Sequence, residues 1–241
     1  MGSGIYSALS GSIAKIQKLD TAVNNLANAG NIGYKASRLS FEALIQERLQ
    51  NSIGVGMNYC RTASRFIDFS QGVLQRTGRR LDLAIEGDGF FKVAGPEGFF
   101  YTRRGNFTLD EQGALVTADA GMQVVGENGP VNLPHTDVHI DGRGRVTANG
   151  MPVGKIGIYG ISDVRSLIQR PDGLFALDGN AKEKNAGNGR ILQGALEGSN
   201  VSPLQLAVEL IEIQRAYAAY LQTMKVYSHL GGKAIEIGRI G

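Results

Sequence analysis

Residues 5–26 read IYSALSGSIAKIQKLDTAVNNL, and residues 206–227 read LAVELIEIQRAYAAYLQTMKVY. In the first stretch Leu9, Ile16 and Val23 stand one heptad apart, and Ile5, Leu19 and Leu26 fill the complementary row, interrupted by Ser12. In the second, Leu206, Ile213, Tyr220 and Tyr227 form one row and Leu210, Tyr217 and Met224 the other. Apolar residues at alternating three- and four-residue steps predict two amphipathic helices that pair along a coiled-coil seam. Val208, Ile211 and Leu221 widen the second stripe, so that helix is expected to touch more than one neighbour. At 1.5 Å per residue the first segment spans roughly 33 Å and residues 203–230 about 42 Å. Ser202 before Pro203 reads as an N-cap with proline in the first turn, and Gly231-Gly232 as the helix end.

Outward from these ends the pattern changes. The run from Asn28 to Gly33 closes the first helix in a turn, residues 41–49 read as a second, shorter helix, and residues 50–79 as a polar, glycine-dotted linker. From Leu81 on, short β-prone runs alternate with turns: 83–85, 90–93, 99–102, 107–109, 115–117, 123–125, 138–140, 145–147, 154–159 and 174–177. The expected architecture is α+β. A helical segment over 1–40 pairs with another over 196–241, a short helix and linker occupy 41–79, and an all-β domain, a sandwich or partly closed barrel, fills 80–195.

The 241 residues suffice to bury about 70–75% of the unfolded surface. Thirty-four glycines are about twice the ordinary usage of roughly 7%, and without a fixed period they imply tight turns rather than collagen. The net charge of +3 is mild and the basic residues are scattered except at Arg79-Arg80 and Arg103-Arg104, which argues against a nucleic-acid partner. Cys60 is alone and forms no intramolecular disulfide. No stretch approaches the ~18 apolar residues of a membrane span. The opening residues lack a basic n-region and an apolar h-region, so the expected export route removes no signal peptide. Tyr6 also stands where a myristoylation signal needs Ser or Thr.

A search for chemistry finds little. His135 and His139 lie in a strand-rich region, where four residues span ~13 Å, too far for one metal. His229 sits near the end of the C-terminal helix, where a cation complements the helix dipole. Glu86, Asp88, Asp110 and Glu111 are candidate carboxylates for glycoside hydrolysis, but acids beside glycine are ordinary turn residues. Gly87-Asp88-Gly89 has neither the following helix nor the Lys-Ser/Thr of a phosphate loop. The expectation is a non-enzyme without catalytic, cofactor-binding or metal-ligating residues, cofactor or small-molecule substrate.

Two segments on the end helices carry a family resemblance. Asn24-Asn25-Leu26-Ala27-Asn28, followed by Gly33-Tyr34-Lys35, resembles the N-terminal signature of bacterial flagellar rod and hook proteins. Leu196-Glu197-Gly198-Ser199-Asn200-Val201, followed by Glu209 and Gln214-Arg215-Ala216-Tyr217, resembles their C-terminal signature. Residues 82–91 and 101–107 resemble the β domain of rod and hook members. Two departures add apolar surface: Val23 replaces the Ser that commonly precedes Asn-Asn, and Ala218-Ala219-Tyr220-Leu221 replaces a more polar run.

The resemblance implies paired terminal helices lining a hollow helical tube, with the β domain facing outward. It implies a structural rod subunit that carries torque to the hook, with other copies and neighbouring rod proteins as partners, in the flagellar basal body. It also implies passage through the flagellar type III export apparatus. Asn24, Asn25 and Asn28 either cap their own helix or bond to a neighbouring subunit. The helices are expected to be largely unfolded in a dilute monomer and to order on assembly. A distal-rod or hook-type subunit of the same family, or a periplasmic or surface binding module, is the alternative.

Overall fold

The computed structural model describes residues 2–46, 57–170, 172–178, 181–185 and 187–237. The chain divides into two compact units, one of residues 1–27, 37–66 and 202–241, the other of residues 28–36 and 67–201. The architecture is α+β, with a helix at each end and strands between.

In the first unit α1 (Gly2–Ala27) packs with α2 (Pro203–Ile237) beside a hairpin of β1 (Ser37–Gln46) and β2 (Met57–Ile67). A Cβ on Gly11 would lie 2.6 Å from the Tyr220 ring, and Lys18 pairs with Glu209 at 2.8 Å, so the two helices run antiparallel. The α1 face turned inward carries small or polar side chains: Ala8, Gly11, Ser12, Thr21, Ala22 and Asn25 are buried. From α2 come Leu206 and Ile213, buried, and Leu210, Tyr217, Tyr220, Met224 and Tyr227, half-buried. Small residues on one helix admit the bulky ones of the other.

The α1 row Leu9, Ile16 and Val23 is exposed by 41–51%, Leu26 is exposed and Leu19 half-buried, while the side chain of Ile5 lies outside the described residues. Periodicity marks an apolar stripe but not which neighbour covers it, so the α1 row read as a seam points outward in the protomer. Residues 41–46 belong to a strand, not the expected helix, and 47–49 lie outside the described residues. The reason is pairing: β1 gains a hydrogen-bonded partner in β2, and such tertiary context overrides local helical preference. Helix α2 continues through Gly231-Gly232 to Ile237 rather than stopping there.

The second unit is rich in short strands. In chain order they are β3 (Leu74–Arg76), β4 (Leu83–Glu86), β5 (Phe91–Gly95), β6 (Gly98–Thr102), β7 (Phe107–Leu109), β8 (Leu115–Thr117), β9 (Gln123–Gly126) and β10 (Gly129–Pro130). After them come β11 (His139–Ile140), β12 (Arg145–Ala148), β13 (Met151–Lys155), β14 (Tyr159–Ile161), β15 (Leu167–Gln169), β16 (Phe175–Leu177), β17 (Glu183–Asn185), β18 (Arg190–Gln193) and β19 (Ala195–Glu197). An antiparallel sheet runs β15-β16-β6-β5-β9-β8-β7, with β10 on β9, and does not close into a barrel. Smaller pairings are β11-β12-β13, β14-β17, β18-β4 and β19-β3.

Alternation along β5 and β6 separates two cores. Val93 pairs with Phe100 over the larger core, with Leu83, Ile85, Phe107, Leu115, Val124 and Ile156, while Tyr101 joins Phe90, Phe175 and Leu167 in the smaller one. The rings of Phe69, Phe90 and Phe175 meet edge to face at 5.3–5.9 Å. Strands β2 and β3 fall where a linker was expected, because their partners, β1 and β19, were not legible as strands.

Candidate functional site

The chain leaves α1 through a tight turn: Asn31 N–H donates to the Asn28 carbonyl at 3.0 Å, and Asn31 Nδ2 to Asn28 Oδ1 at 2.8 Å. Gly33 follows at φ 65°, and a Cβ there would lie 2.6 Å from the backbone of Arg103 and Arg104. Only glycine tolerates both the left-handed conformation and the approach. Gly33 N–H donates to the Glu197 carbonyl at 2.7 Å, joining the N-terminal signature to β19.

Two residues on, Lys35 reaches a buried cluster. Its Nζ lies 2.6 Å from Glu197 Oε1 and 2.7 Å from the Ser70 carbonyl, and both charged side chains are 0% exposed. Glu197 Oε1 also accepts from Gly72 N–H at 2.9 Å. On the other oxygen, Arg103 Nη1 donates to Oε2 at 3.2 Å, Nη2 donates to the Gly87 carbonyl at 2.8 Å, and the guanidinium lies 5.3 Å from the Phe90 ring centre. Burial pushes both the Lys35 amine and the Arg103 guanidinium below their ordinary values, opposed in each by the charge of Glu197 and its hydrogen bond. Desolvating such ions costs several kcal/mol each, so the cluster persists only because the polar groups around it are matched.

Asn200 completes the join. Its Oδ1 accepts from Ala36 N–H at 2.8 Å, and its Nδ2 donates to the Asp68 carbonyl at 2.7 Å and to Ser70. Gly198 N–H donates to the Val73 carbonyl, Leu196 is paired with Gln75, and Val201 N–H donates to Ser199 Oγ at 3.1 Å. A Cβ on Gly72 would fall 2.0 Å from the Gly198 carbonyl oxygen. Gly33, Lys35, Glu197, Ser199, Asn200 and Val201 therefore act in one local structure, with Tyr34 buried among them and its carbonyl 3.4 Å from Asn200 N.

The remaining signature residues lie elsewhere. Asn25 clamps the start of β1, its Oδ1 accepting from Ser37 N–H at 2.9 Å and its Nδ2 donating to the Ser37 carbonyl at 2.8 Å. Asn24, Leu26 and Ala27 are exposed on α1. On α2, Glu209 pairs with Lys18, Ala216 and Tyr217 are half-buried, and Gln214 and Arg215 are exposed. Among the former carboxylate candidates, Asp110 Oδ1 accepts from the backbone N–H groups of Gln112 and Ala114, the chemistry of a turn.

Sequence reasoning missed Ser70, Gly72 and Arg103 as site residues. The first two lie in what read as linker. The third was marked by the Arg103-Arg104 doublet and by its place in the 101–107 segment that carries the resemblance.

Residues 84–148 match the family described as the flagellar hook protein FlgE/F/G D1 domain, and residues 192–237 the flagellar basal body rod FlgEFG protein C-terminal family. Over its full length the chain is 34% identical to the flagellar basal-body rod protein FlgF of Caulobacter vibrioides, all of which is covered. It is 30% identical to FlgF of Rhizobium meliloti, over 98% of both chains. Identity to the basal-body rod protein FlgG of Bacillus subtilis is 33%, over 88% of this chain and 90% of that one.

Proposed function

This chain belongs to the FlgE/F/G family of bacterial flagellar rod and hook proteins, and from that premise we propose how it builds the rod. It is a structural subunit of the flagellar basal-body rod, in a family of structural proteins rather than enzymes, and assembles with other rod components in the basal body. In the proposal, identical and related subunits stack by heterologous contacts, which do not close into a ring, into a hollow helical shaft that passes torque to the hook. The terminal segments 1–40 and 196–241 supply the axial contacts, with α1 and α2 pairing as a coiled coil in the tube wall. Residues 41–79 connect them to the outward β domain of 80–195. The subunit reaches the rod through the type III export apparatus.

The observation that supports this best is the second apolar face on each end helix: Leu9, Ile13, Ile16 and Val23 on α1, and Leu204, Val208 and Ile211 on α2, are all exposed by 41–78%. An isolated subunit leaves that surface in water, and axial neighbours would remove it. The FlgF and FlgG relatives match over nearly the same span, and the FlgF-like proximal position is the one we propose. The test deletes the gene and images basal bodies, complementing with the full chain or a copy lacking residues 1–30. Truncated rods restored only by the full chain support the reading; complete rods and motile cells without the protein refute it.

A further inference from the structure

Two stretches of the β-rich unit repeat one structure. Leu109-Asp110-Glu111-Gln112-Gly113-Ala114-Leu115-Val116 aligns with Ile140-Asp141-Gly142-Arg143-Gly144-Arg145-Val146-Thr147, with aspartate second and glycine fifth in both. Asp110 Oδ1 accepts from the N–H groups of Gln112 and Ala114, and Asp141 Oδ1 from those of Arg143 and Arg145, all at 2.7–3.0 Å. Gly113 and Gly144 stand at φ 81° and 80°, and their carbonyls accept the N–H groups of Leu133 and Ile156, each at 2.8 Å. A strand then folds back in both copies, setting Gln123 on β9 opposite Val116 and Pro152 on β13 opposite Thr147. Gln123 and Pro152 therefore hold the same place.

The copies differ at the outer side of that returning strand. In the first, β5 covers it, and Gln123 pairs with Ala94. In the second, among the described residues, no strand pairs with the outer side of residues 151–154, and Met151 is 72% and Val153 38% exposed. The turn into β13 has two residues, Asn149 at φ 50° and Gly150 at φ 79°, which is the I′ type. Ala148 and Met151 flank it as a hydrogen-bonded pair, so the backbone of the next pair, Thr147 and Pro152, points away from its partner. Val153 is the unopposed residue of a bulge, and past it Gly126 lies against Ile156. Position 152 is thus the one place between turn and bulge that could offer an outward N–H to an incoming strand, and proline has none.

We propose that Pro152 is a stop that keeps the open edge of β13 from pairing with the same edge of a second copy. A residue with an N–H there would complete a short free edge flanked by exposed apolar side chains, a template for pairing between chains. Pairing through the same edge on both copies is isologous and closes as a dimer. The stop stands independently of the rod-subunit reading; within that reading it keeps copies free for contacts that propagate.

Sedimentation of the full chain and of Pro152→Gln, which installs the residue of the first copy, tests the stop. The expected result is a doubling of the sedimenting mass in the variant at concentrations where the parent is monomeric. Adding Val153→Lys should return it to a monomer, since a charge on an open edge blocks pairing by a different route. Gln123→Pro is the counterpart, because it removes an N–H on the side that β5 covers. It should lower the melting temperature by at least about 6 °C, whereas Pro152→Gln should lower it by no more than about 2 °C. Equal sedimentation of parent and Pro152→Gln, or association that persists with Val153→Lys, overturns the proposal. So does a loss of stability in Pro152→Gln that matches Gln123→Pro, which would make the proline part of the fold rather than a stop.

Discussion

Glu197→Gln is expected to be the most damaging conservative substitution in the β-rich unit. The carboxylate faces Lys35 at 2.6 Å and Arg103 at 3.2 Å, and all three side chains are at most 4% exposed. Neutralising it leaves two cations with no counter-charge between them and turns one acceptor oxygen into an amide donor. Breaking a buried pair from one side costs about 3–5 kcal/mol, a large fraction of a typical stability of about 5–15 kcal/mol. At about 2–4 °C per kcal/mol for a chain of this size, the melting temperature falls by roughly 6–20 °C. Lys35→Met is milder, about 1–3 kcal/mol, because it leaves Glu197 paired with Arg103 and with Gly72 N–H. Chemical denaturation of the full chain and of both variants measures the two losses. A Glu197→Gln loss below about 1 kcal/mol, or one smaller than that of Lys35→Met, would refute the reading of Glu197 as the centre of the cluster.

Gly33→Ala is expected to cost at least about 1–3 kcal/mol, since φ is 65° and the new Cβ meets backbone at 2.6 Å; Gly30→Ala, with open space around it, is the control. Equal melting temperatures for the two would contradict the steric argument. Asn25→Ala removes both bonds to Ser37 and is expected to cost about 1–3 kcal/mol, read as faster amide exchange at Ser37 than in the parent. Stability should also depend on pH through Glu183. Burial, the largest influence, favours its neutral form, but hydrogen bonds from Lys92 and Tyr101 outweigh it and hold the carboxyl below the ordinary 4.5. The folded state thus binds fewer protons, so this contribution is present above that value and is lost as pH falls through the folded-state one. The Tyr101 phenol runs the other way. Burial first, and then Glu183, raise it above its ordinary 10.0, so stability falls as pH rises past about 10. Tyr101→Phe should flatten the alkaline limb in thermal melts across pH; an unchanged limb would assign it to other groups.

The two end helices, and nine of the expected β runs, were legible because periods of 3.6 and 2 are local properties of the chain. Residues 154–159 were not one strand: β13 ends at Lys155 and β14 begins at Tyr159. Strands β3, β15 and β18 were not among the expected runs, and each exists because an antiparallel partner, β19, β16 or β4, completes its hydrogen bonds. The signature segments announced themselves by residue identity, and that alone pointed to the family.

What the sequence by itself determined is the inventory: two amphipathic helices, a glycine-punctuated run of strands, and motifs at Asn24, Lys35 and Glu197. Only the tertiary structure decided which side of α1 is covered, because Leu9, Ile16 and Val23 obey the same period as a buried row and are nonetheless exposed. Only it brought Lys35, 162 residues from Glu197 along the chain, to the same point as Arg103. Charge pairing at that separation depends on where the backbone turns, and no local pattern records that.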